Sequence, residues 1–175
     1  MMNIEFYNIS LLNWAASTLL LAGMVDDFLT RKVHNKLVLV ALSAALIGCA
    51  LFSTDSFLKT HLLGFLTAIG LTLPLVFIGW LGSGDMKLLS VFGLLAGGAT
   101  TFKVLVLAFI WATIWGFVLV CVKGELKSYL TNIKNILFFK QSQNLKLQAM
   151  PFTAPIFLGW ITFLKLESLH LQIFN

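Results

Sequence analysis

Charge is scarce in this chain. Only 11% of its 175 residues are Asp, Glu, Lys or Arg, where a soluble globular domain carries about 25%. With 59% of the residues hydrophobic, an ordinary water-exposed domain is excluded and an integral membrane protein is expected. Cysteine is nearly absent too. Cys49 and Cys121 are the only two; they lie in separate apolar runs and form no C-x-x-C pair, which excludes a zinc site of that kind and a disulfide framework. Acids are fewer than bases, seven against twelve. The bases are scattered through short loops and not gathered into a patch, so the surplus reads as membrane orientation and lipid headgroup contact, with no nucleic-acid partner.

Long apolar runs are what the chain does have. A helix crosses a bilayer with about 20 apolar residues, and with fewer in a thin or protein-lined region. Six runs qualify: Ile9–Val25, Leu37–Phe52, Leu62–Leu81, Leu88–Thr100, Val104–Val122 and Phe152–Leu164, the last extending toward Phe174. The opening MMNIEFYNIS has neither a basic start nor a small-residue cleavage site, so the first run is expected to stay as an anchor. Gly70 and Pro74 mark a kink in the third run, and Gly97-Gly98 marks the turn from the short fourth run into the fifth.

The expected fold is therefore all-α, a polytopic membrane protein of about six transmembrane helices in a single domain, residues 1–175. Within residues 123–149, Leu126, Leu130, Ile133 and Leu137 recur at helical spacing while Lys127, Lys134 and Asn135 point elsewhere. That pattern suits an amphipathic helix on the inner leaflet. If the N-terminus lies outside, Arg31, Lys32, Lys36, Lys87, Lys123, Lys127, Lys134, Lys140 and Lys146 are inside, and only Lys59, Lys103 and Lys165 are outside. The bias is positive-inside, which puts Asp26, Asp27 and Asp85 on the cytoplasmic side.

Two short polar stretches stand out against this background. DDFLTRKVHN, residues 26–35, follows the first run, and GSGDMK, residues 82–87, opens the fourth. Each brings a carboxylate to an inner helix end at the same depth, where charge is costly. Two close carboxylates share a proton, so one can act as general base on a water while the other polarises a carbonyl, the arrangement of aspartic proteases. The same pattern also fits helix caps, a membrane anchor or a proton path.

The motifs narrow this choice. GSGDMK resembles the GxGD signature of intramembrane aspartyl proteases, in the GxGDxK form of the type IV prepilin peptidases. Asp27, Arg31, Val33 and Asn35 resemble the same family's first motif, an aspartate followed at four, six and eight residues by Arg, an aliphatic residue and Asn. Pro151, Phe152 and Pro155 in MPFTAPIFLGW are similar to the family's Pro-aromatic-x-x-Pro opening of its last helix. Three motifs in order span nearly the whole chain. The resemblance implies about six helices, a catalytic pair Asp27 and Asp85, and as substrates prepilins or pilin-like proteins. These are cut after a short basic leader at the cytoplasmic face of the inner membrane. Gly82 and Gly84 would allow close backbone approach. Arg31 and Asn35 support the first acid, and Lys87 either favours the ionised form of Asp85 or grips a headgroup.

The chain also departs from the family. Long-branch members carry a cytoplasmic zinc domain with paired C-x-x-C motifs and methylate the new N-terminus. This chain lacks that insertion and those cysteines, so it resembles the short Tad/Flp-type branch and methyltransferase activity is not expected. The family often has Pro where this chain has His34, a candidate modulator of the acid pair or an ordinary loop residue. Asp26 rivals Asp27, but the spacing to Asn35 favours Asp27. No cofactor and no metal are expected. The alternatives are a preflagellin-type peptidase, a proton-coupled transporter and a non-enzymatic assembly factor.

Overall fold

The computed structural model describes residues 2–31, 33–52, 55–122 and 152–169. They form six helices and no strand: α1 Met2–Thr30, α2 Asn35–Phe52, α3 Asp55–Phe77, α4 Ser83–Ala96, α5 Gly98–Val122 and α6 Thr153–Ser168. The amphipathic stretch expected at 123–149, and the extension toward Phe174, lie outside the described residues. Two segments, Lys59–Phe77 and Gly98–Val122, are long and apolar enough to cross a membrane, and Asn35–Gly48 is a shorter apolar helix. Helix count and span count thus differ.

The shortest helix lies at the centre. In α4, every residue from Leu88 to Leu95 is buried, on all faces. A helix apolar all round must be wrapped by others, and α1, α2, α3 and α5 all pack on α4. The closest approach is to α3, where a Cβ on Gly64 would collide with the Gly93 carbonyl and one on Gly93 with the Gly64 carbonyl. Small residues that let backbones touch are the usual contact of helices in lipid, where dispersion must replace the hydrophobic effect. The α5–α6 crossing uses the same device: a Cβ on Gly159 would stand 2.8 Å from the Ala108 nitrogen.

Aromatic packing closes the core. Trp160 of α6 is fully buried, meets Phe92 of α4 edge-on at 5.2 Å and stacks on Phe163 at 5.7 Å. Its indole N–H donates to Ser17 Oγ of α1 at 2.8 Å, which satisfies the one polar atom the ring carries inward. This hydrogen bond ties α6 to α1. Leu29, Phe77, Trp80, Phe117 and Val122 are exposed, an outer surface suited to lipid and unsuited to water.

Every helix differs from its apolar run at one end or both, α1 and α3 beginning seven residues earlier and α4 ending at Ala96 in place of Thr100, and two of these boundaries have a clear local cause. α3 ends at Phe77 and not at Leu81, because Gly79 takes φ +80° and the Trp80 N–H turns back to the Leu75 carbonyl at 2.9 Å, a left-handed helix stop open to glycine. α5 begins at Gly98 and not at Val104. Its early threonines fit inside the helix, since Thr101 donates to the Gly97 carbonyl at 2.7 Å and so needs no water. The turn between α4 and α5 shrinks to Gly97 alone, at φ +82°.

Candidate active site at three helix ends

Asp27 lies in the last turn of α1, with only 7% of its surface exposed. A buried carboxylate needs donors, and Thr153 supplies one: its hydroxyl donates to Asp27 Oδ2 at 2.7 Å. Thr153 is the first residue of α6 and is itself fully buried. It sits inside the MPFTAPIFLGW stretch, between Phe152 and Pro155, at a position the Pro-aromatic-x-x-Pro motif does not mark. The signal available was a hydroxyl placed directly before an apolar run.

Asp85 lies in the first turn of α4, before the apolar stretch Leu88–Thr100, and is half-buried. Gly82 caps the helix in an extended conformation, and its backbone N–H is hydrogen-bonded by the Asp85 carboxylate. This is half of a capping box, with the acid reaching back to the residue three positions earlier. A Cβ on Gly82 would stand 3.0 Å from Asp85 Oδ2, so the first glycine of the motif leaves room for the acid it precedes. Burial pushes the Asp85 carboxyl up to about 7, the charge of Asp27 adds to that, and the Gly82 N–H opposes it. The two acids of the two motifs are therefore within electrostatic reach of each other.

Asp26, one residue from Asp27, is turned elsewhere. Its carboxylate accepts the His34 backbone N–H at 2.7 Å and pairs with His34 Nδ1 at 2.8 Å. Neighbouring helical positions diverge by about 100°, and here one faces the bundle and the other the loop. The His34 hydrogen bonds hold the Asp26 carboxyl below the usual carboxylate range, the backbone N–H contributing most.

The remaining motif residues join the two stretches to each other. Arg31 takes φ +56°, and its N–H bonds the Asp27 carbonyl at 2.8 Å, so it ends α1 and reverses the chain. Its guanidinium is exposed. Val33 packs on the second motif, since a Cβ on Gly84 would stand 3.2 Å from Val33 Cβ. Lys87 Nζ donates to Asn35 Oδ1 at 2.9 Å. The choice left open for Lys87 thus acquires a third answer: its described partner is the asparagine of the first motif. Among the described residues no cluster of three or more His, Cys, Asp or Glu side chains forms a metal site.

An apolar cavity of about 790 Å³ separates α1 from α2, and a second of about 550 Å³ continues it to Asp26, His34 and Lys36. The first is walled by small side chains, among them Ala15, Ala22, Ala41, Ala44 and Gly48, and its floor is Leu95 of α4.

The described residues thus form an apolar helical bundle with an acid at the end of α1 and another at the start of α4. Residues 14–120 match the type IV leader peptidase family. That match covers more than half of the chain, and the protein belongs to this family of peptidases. No curated protein and no solved structure matches the chain.

Proposed function

We propose that the protein is a membrane aspartic endopeptidase that removes the short basic leader of type IV prepilins or pilin-like proteins at the cytoplasmic face of the inner membrane, with Asp27 and Asp85 as its catalytic pair. The observation that carries this reading is the packing of α1 on α4, tight enough that a Cβ on Gly23 would stand 2.6 Å from Leu88 Cδ2. It brings together the helix ends that hold Asp27 and Asp85, 58 positions apart by their numbers 27 and 85, and the charge of one adds to the raising of the other's carboxyl. Family membership supplies the reaction class.

In this reading Asp85, raised to about 7, keeps its proton near neutrality and polarises the scissile carbonyl by donating to its oxygen. Asp27 accepts a proton from the attacking water, so that a C–O bond forms and a tetrahedral diol results. That proton passes from Asp27 to the departing amine as the C–N bond breaks, while one diol hydroxyl returns its proton to Asp85 and the carbonyl re-forms. Thr153 holds Asp27 in place through its 2.7 Å hydrogen bond, and orientation of this kind is worth large rate factors. The chain acts as one domain of six spans, as a short-branch enzyme without methyltransferase activity.

The test is cleavage of a prepilin-like substrate in membranes. Asp27→Asn and Asp85→Asn should each abolish it while the protein remains membrane-inserted, and Asp26→Asn should retain it. Full activity of either Asn variant at the proposed pair would remove the assignment. An active Asp27→Asn alongside a dead Asp26→Asn would move the site by one residue.

A further inference from the structure

We infer that Asp26 is a positioning residue, which through His34 fixes the loop that carries Val33 and Asn35 onto the GSGDMK turn and so sets where Asp85 stands relative to Asp27. This rests on the catalytic reading above. After α1 the chain reverses at Arg31 in a left-handed conformation that only glycine adopts freely, a strained one for an L residue. A loop bent in this way stays in one form only if neighbouring contacts over-determine it. The Asp26 carboxylate provides two of them, on the backbone N–H and the ring of one residue, His34, eight positions on.

His34 stands between the two residues that touch the second motif. On its N-terminal side Val33 seats Gly84, and on its C-terminal side Asn35 accepts Lys87. Gly84 and Lys87 bracket Asp85 in sequence. Holding His34 therefore holds both sides of the turn that presents Asp85, although Asp26 bonds the loop and not the acid pair. The contact needs an acceptor for the His34 N–H more than it needs charge. Asparagine keeps that acceptor, and its amide can still bond a neutral imidazole. Alanine keeps neither.

The experiment uses the full chain in membranes and reads cleavage of a prepilin-like substrate, with Asp85→Asn as the inactive control. Asp26→Ala should lower kcat by about tenfold or more, since small misplacements of reacting groups cost factors of that size, with KM within about twofold. Its alkaline activity limb should move to lower pH, because an Asp85 freed from its place is better hydrated and loses its proton sooner. Asp26→Asn should restore most of kcat and the wild-type limb.

Loop placement is read separately, without activity. With Cys49 and Cys121 replaced by alanine, cysteines introduced as Val33→Cys and Gly84→Cys should cross-link under mild oxidation. Adding Asp26→Ala should slow that cross-link several-fold. Unchanged cross-linking in Asp26→Ala overturns the inference even if the wild-type chain proves not to cut prepilins, and equal loss of kcat in Asp26→Ala and Asp26→Asn overturns it in favour of a directly catalytic Asp26. A wild-type chain that cuts nothing while Asp26→Ala slows the cross-link would instead overturn the proposed activity and leave the loop clamp standing.

Discussion

Lys87 reaches across 52 residues of sequence to donate to Asn35 Oδ1 at 2.9 Å, so each motif holds the other through its last polar residue. The bond lies at the surface, where a hydrogen bond to a charged group contributes about 1.5–3 kcal/mol at most. Its value here is geometric. Lys87→Met and Asn35→Ala should each lower kcat by roughly tenfold or less, and the double variant should be little worse than either single one. Additive losses in that cycle would mean that the two residues act separately.

Thr153 should behave as a partner of Asp27 and not as packing. Thr153→Val conserves shape but leaves a buried carboxylate oxygen without its donor, a loss of about 1–3 kcal/mol. Cleavage should fall by roughly ten- to a hundredfold, and Thr153→Ser should recover most of it. A Val variant as active as wild type would show that the hydroxyl does not serve the acid.

The raised Asp85 carboxyl makes stability depend on pH. A carboxyl with a folded value of about 7 and an unfolded value near 3.9 binds its proton more tightly in the folded state. Its stabilising contribution is complete below the unfolded value and is lost as pH rises through about 7. Asp85→Asn mimics the protonated form at every pH. The variant should therefore melt higher than wild type at pH 8, with the gain shrinking as pH falls toward 4. Thermal unfolding in detergent across that range checks the sign, and a gain that grows toward acid would contradict it.

Glycine positions separate sharply by what surrounds them. Gly64→Ala and Gly93→Ala each drive a methyl into the facing backbone, and overpacking of that kind costs about 1–3 kcal/mol or more. Gly70, on the same helix as Gly64, has nothing within 4 Å of the place a Cβ would occupy. Gly70→Ala should be neutral or stabilising by up to about 1 kcal/mol. Comparing the melting temperatures of the three variants tests the α3–α4 contact directly.

Much of this arrangement can be read from local patterns. The apolar runs foretell helices and GSGDMK marks the helix start that carries Asp85, whereas the preference for Asp27 over Asp26 comes from the resemblance to the family's first motif. Patterns of this kind are short in sequence, and each depends on one helix end. What resists reading is the pairing between stretches. Nothing in the spacing couples Lys87 to Asn35 or Val33 to Gly84, because both contacts depend on how α4 sits against the α1–α2 loop. Thr153 is hidden for the same reason: its partner is 126 residues away. The start of α5 is hidden because threonine and lysine read as polar interruptions, whereas Thr101 satisfies itself on the preceding turn.

The bond between Thr153 and Asp27 also sets an order of events in synthesis. Ribosomes add about 5–20 residues per second, so the 126 positions between the two take roughly 6–25 seconds. During that interval α1 carries its acid without the hydroxyl that α6 delivers, and Trp160 has not yet filled its place against Phe92 and Ser17. On the proposed reading a nascent chain with α1 through α5 already inserted works well below its full rate, because Asp27 lacks its hydroxyl donor. Full proteolytic competence arrives only when α6 docks, so a translation product stalled before Thr153 should cut far more slowly than the finished chain.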